Sequence, residues 1–130
     1  MLTDPDQFND IREGVRAVCA EFPDEYHRKI DHDRAYPEAF VAALTKAGWM
    51  AALIPEEYGG SGLSLTAASV ITEEINRTGG NPCACHGQMY NMNTLVLQGS
   101  EEQKHLYLPK VASGALAVRE RQDVVYREAP

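Results

Sequence analysis

The chain has 130 residues and a formal net charge of −7, from 12 Lys and Arg against 19 Asp and Glu. That length suits one domain, which at this size buries about two-thirds of the surface its unfolded chain exposes, and 44% hydrophobic with 24% charged residues excludes a wholly disordered chain. The acidic balance, with no cluster of Lys and Arg, argues against nucleic acid or an anionic lipid surface as the main partner.

The first segment reads as a helix. Asp4 suits its cap and Pro5 its first turn, where a missing N–H costs nothing. Phe8, Ile11, Val15, Val18, Cys19 and Phe22 recur at helical spacing, and Asp10, Arg12, Glu13 and Arg16 fall mostly on the opposite, wet face. Phe22-Pro23 interrupts it, because proline disfavours a helical conformation in the residue before it. Residues 23–35 are highly charged, with Tyr26 and Ile30 as apolar anchors, and read as a short exposed helix. Tyr36-Pro37 restarts the pattern. Phe40, Val41 and Leu44 form one stripe, and Gly48 falls where a left-handed C-terminal cap is expected.

Trp49 to Ile54 is uncharged and stopped by Pro55, and three glycines in the run Gly59-Gly60-Ser61-Gly62 demand a tight turn or a close backbone approach. A helix follows from about Leu65 to Thr78, with Ala67, Val70, Ile71 and Ile75 on one side, Glu73, Glu74 and Arg77 at its far end, and Gly79-Gly80 ending it. Asn81-Pro82 opens a fifth helix running to about Gln98 and stopped by Gly99. Thr78 to Ser100 carries no Asp, Glu, Lys or Arg, yet three Asn, a His and four Gly make it too polar to cross a bilayer. Ser100-Glu101-Glu102-Gln103 matches a capping box and starts a last helical stretch, which Pro109 is expected to break or kink and Gly114 to close. The pattern predicts an all-α protein, five or six helices in an up-and-down bundle.

Several of these blocks, in their order and spacing, resemble the N-terminal helical domain of the acyl-CoA dehydrogenase family. They are Ala47-Gly48-Trp49, Ile54-Pro55-Glu56-Glu57-Tyr58-Gly59-Gly60-Ser61-Gly62-Leu63, Glu73-Glu74-Ile75, Gly99 to Lys104, and Tyr107 to Gly114. The resemblance covers roughly residues 5 to 115. It implies a helical domain at 1–115, which in the family precedes a small β-barrel and a C-terminal four-helix bundle. Together these hold FAD and an acyl-CoA thioester. A proton is removed α to the carbonyl while hydride leaves the β carbon for flavin N5, and members assemble as tetramers or dimers. After Gly114 the chain departs from the family's Thr-Glu-Pro-like pattern, so residues 116–130 read as a divergent tail, with barrel and bundle expected to be absent. No residue is assigned the general-base role.

In the family the helix corresponding to the fifth forms one wall of the acyl pocket, and Gly87-Gln88-Met89 resembles the stretch found there. Gln88, Met89, Met92 and Asn93 are therefore the candidate substrate-contacting residues; Met is a flexible, polarisable filler suited to a flexible acyl chain. The same uncharged stretch also suits a central core helix, and both readings stay open. Asn91 and Asn93 favour a short or polar acyl group. Cys83-Ala84-Cys85-His86 lacks the second ligand pair a structural zinc site needs, so no metal is expected. The glycine run lacks the motif of a phosphate loop and reads as a turn.

Three cysteines, an odd and sparse set, read as reduced thiols, and the opening MLTDPDQFND lacks the basic and apolar regions of a signal peptide; both point to the cytoplasm. Three functional readings follow. The chain is part of an FAD-dependent dehydrogenase, inactive alone; or a subunit whose partner chain supplies the other domains; or a non-enzymatic helical module that self-associates as a homodimer.

Overall fold

The computed structural model describes residues 7–116, and these fold as six α-helices with no strand among the described residues. They are α1 (Asn9–Cys19), α2 (Asp24–His32), α3 (Glu38–Lys46), α4 (Leu65–Arg77), α5 (Cys83–Gln98) and α6 (Glu101–Ala112). Two single 3-10 turns, Trp49–Ala51 and Glu56–Tyr58, link α3 to α4. The expected cap at Asp4 and Pro5, and the tail beyond Leu116, lie outside the described residues.

The stop and start signals act locally. Gly48 takes φ +86° after α3. Ser64 accepts from the Ala67 N–H at the head of α4, and Ser100 and Gln103 form a reciprocal capping box at the head of α6. Pro109 does not break α6, which runs on to Ala112. It sits in the last turn, and both it and His105, whose carbonyl loses its partner, lie on the exposed side. Arg34, at φ +51°, ends α2 in a Schellman arrangement, with the Ala35 N–H bonded to the Ile30 carbonyl.

Two buried clusters hold the helices together. The first joins Val15 and Cys19 of α1, Phe40 and Leu44 of α3, Ile71 and Ile75 of α4, and Cys85 and Met89 of α5. Fully burying an aliphatic or aromatic side chain of this size contributes roughly 1.5–3 kcal/mol. The second joins Ile54 and Tyr58 of the linker to Met92 of α5 and Leu108 and Val111 of α6. Close approaches between elements account for two glycines. A Cβ on Gly14 would lie 2.6 Å from Cζ2 of Trp49, and one on Gly60 would lie 2.0 Å from the Ile54 carbonyl oxygen.

The interface of α1 with α4 departs from the sequence expectation. The sequence pattern puts Arg12 and Arg16 on a wet face, yet both reach across to Glu74, which has no solvent exposure. Arg12 donates to its Oε1 at 2.8 Å and Arg16 Nε to its Oε2 at 2.7 Å, while Arg77 lies 3.6 Å away. A lone buried carboxylate is costly, and two guanidinium groups on the neighbouring helix neutralise and hydrogen-bond this one.

Candidate functional site

The sequence points to α5, and the structure divides that helix into two sides. Its start is set by Asn81, whose Oδ1 accepts from the Cys83 N–H at 2.9 Å, with Pro82 as the N-cap residue. Cys85, Gln88, Met89 and Met92 then fall at helical spacing on the buried side. On the other side Cys83, His86, Tyr90, Thr94 and Leu97 are exposed. Tyr90 is 68% and Leu97 66% open to solvent, an unusual exposure for large apolar side chains on a helix without a single charge.

The four candidate residues take different positions. Gln88 is buried and its Nε2 donates to the Met50 carbonyl at 2.8 Å, tying α5 to the turn after α3. It also borders an open cleft of about 410 Å³ shared with Tyr36, Val41, Lys46 and Leu116. Met89 belongs to the first core cluster and Met92 to the second. Asn93 is half-buried between the packed and open sides. Two further polar side chains of α5 bond back to their own helix: Asn91 Nδ2 donates to the Gly87 carbonyl and Thr94 Oγ1 to that of Tyr90. Both of these bonds close within the helix.

The glycine run behaves as a turn. The N–H groups of Gly59, Gly60, Ser61, Gly62 and Leu63 all donate to backbone carbonyls between Ala51 and Glu56. Every donor that a phosphate cradle would need is already bonded inward. Tyr58 anchors the same loop to α6, its hydroxyl donating to Glu101 Oε2 at 3.3 Å and its ring meeting His105 edge-on at 5.2 Å. Burial, with Glu101 and Glu57 nearby, raises the Tyr58 phenol above its ordinary value.

Other titratable groups are structural by their surroundings. Hydrogen bonds from Arg16 and then Arg12 hold the Glu74 carboxyl below the usual carboxylate range, against the opposing effect of burial. Burial pushes the Cys85 thiol up to about 12, and it also raises Cys19. Cys83, two positions before Cys85, is exposed, so the pair does not present both sulfurs to one point. Among the described residues no three His, Cys, Asp or Glu side chains gather as a metal site would require. Arg12, Arg16 and Glu74 are the grouping that sequence reasoning missed. Their one signal was the i, i+4 arginine pair flanking an apolar stripe, and its partner lies 58 residues further along the chain.

Comparison with known proteins agrees with this architecture. The family model described as acyl-CoA dehydrogenase, N-terminal domain, matches residues 5–115. The chain is 34% identical over 116 residues to a Mycobacterium leprae protein named "Probable acyl-CoA dehydrogenase fadE25", covering 87% of this chain and 30% of that one. It is 33% identical over 125 residues to the mitochondrial isovaleryl-CoA dehydrogenase of Solanum tuberosum, with the same coverage. The corresponding bovine protein is 32% identical over 124 residues, covering 86% of this chain and 29% of that one. The chain thus spans about 30% of the length of these relatives. With six helices and the family's N-terminal domain matched over nearly all of its described residues, the chain belongs to the acyl-CoA dehydrogenase family and corresponds to its N-terminal part.

Proposed function

We propose that this chain is the N-terminal helical portion of an FAD-dependent dehydrogenase of acyl-CoA thioesters, with the outer side of α5 forming one wall of the acyl cavity. The observation that carries this reading is the open, charge-free face on which Tyr90 and Leu97 stand two-thirds exposed. In this reading Tyr90, Asn93 and Leu97 meet the acyl group. Gln88, Met89 and Met92 back the wall and fix its position, Gln88 through the Met50 carbonyl. The amide of Asn93 favours a short or polar acyl group over a long hydrocarbon tail.

FAD, when bound, would accept the hydride leaving the substrate. The described residues do not by themselves fit it: the glycine loop has no free N–H to offer its phosphates, and the one fully buried carboxylate, Glu74, is locked between arginines. We therefore assign this chain shape and apolar contact, with no catalytic residue. These 130 residues by themselves neither retain FAD nor oxidise acyl-CoA in this reading, because they correspond to about 30% of the relatives' length and the remaining parts complete the site. The exposed face of α5 also supports a second reading, in which the module acts by association alone. Three free cysteines, two of them buried, support a reducing compartment, for which we propose the cytoplasm. No helix among the described residues is long and apolar enough to cross a membrane.

The test is direct. The purified 130-residue chain should show no visible flavin absorbance and reduce no dye with short-chain acyl-CoA substrates. Stoichiometric flavin in the purified chain would overturn the assignment of its binding to other parts. Addition of the barrel and C-terminal bundle of a related dehydrogenase should restore flavin binding, and persistent failure to associate would count against the wall reading.

A further inference from the structure

We draw no further inference here: the strongest candidate, the open cleft of about 800 Å³ between the end of α2 and the α4–α5 turn, carries nothing because its lining offers a lone cysteine, Cys83, with the exposed charges of Asp31 and Arg34, and no second observation points to a ligand.

Discussion

Where α1 meets α4, a carboxylate with no solvent exposure is held by two guanidinium groups, whereas along the outer side of α5 two large apolar side chains stand in water. Charge is inside at the first surface and greasy surface is outside at the second, the reverse of the common arrangement. The difference separates a seam satisfied within the described residues from an apolar face that is open among them. Glu74 has its partners within the described residues, so the α1–α4 seam is complete in itself. Tyr90 and Leu97 are about two-thirds open there, and the proposed wall rests on that exposure.

The seam breaks most easily at Glu74. Glu74→Ala should destabilise the chain by about 2–3 kcal/mol in urea denaturation. That is below the cost of stranding a fully buried charge, because Arg16 is half-exposed and can turn to water while Arg12 keeps Glu73 at 3.1 Å. A loss under about 0.5 kcal/mol would mean the seam is held by its apolar residues alone. The same carboxylate gives the domain an acid-sensitive component. Its folded value lies below its ordinary 4.5, so its contribution is complete above about that pH and is lost as pH falls through the folded value. Melting temperature should therefore drop more steeply below pH 4.5 in the parent chain than in Glu74→Ala. Equal slopes would place the acid sensitivity elsewhere.

The inner side of α5 should respond less. Gln88→Leu leaves the Met50 carbonyl without its donor, at a cost of about 1–3 kcal/mol by chemical denaturation. Thiol labelling separates the two sides of α5 without perturbing either. One cysteine, Cys83, should react in the native chain, and Cys19 and Cys85 only after unfolding. Rapid reaction of two or three native thiols would show that α5 is not seated as described. The smallest effect is expected outside: Tyr90→Ser and Leu97→Ser should each change stability by no more than about 0.5 kcal/mol. If either costs several times that, its side chain is packed and the open face does not exist.

Much of the fold was legible in short-range signals. The Ser100–Gln103 capping box, the left-handed Gly48 and the end of α4 near Gly79 each depend on a few neighbouring residues. Pro109 does not end α6 as a break would, because the cost of a proline depends on whether the orphaned carbonyl can reach water, a tertiary property. The site was less legible than the fold. Periodicity shows that Gln88, Met89 and Met92 share one side of a helix, but not whether that side meets a cavity or a core. That depends on Met50, Ile71 and Leu108, which arrive from elsewhere in the chain. The same holds for Arg12 and Arg16, whose i, i+4 spacing beside an apolar stripe is a signal but does not say which carboxylate lies across the gap.

The indole seated against Gly14 has a practical consequence. Trp49 is the chain's single tryptophan, so its emission has one source and one neighbourhood. Any event that lifts α1 away wets this ring first, shifting its fluorescence to the red while the far-ultraviolet signal of the remaining helices persists. The two optical signals together thus tell loosening of the amino-terminal helix from melting of the whole.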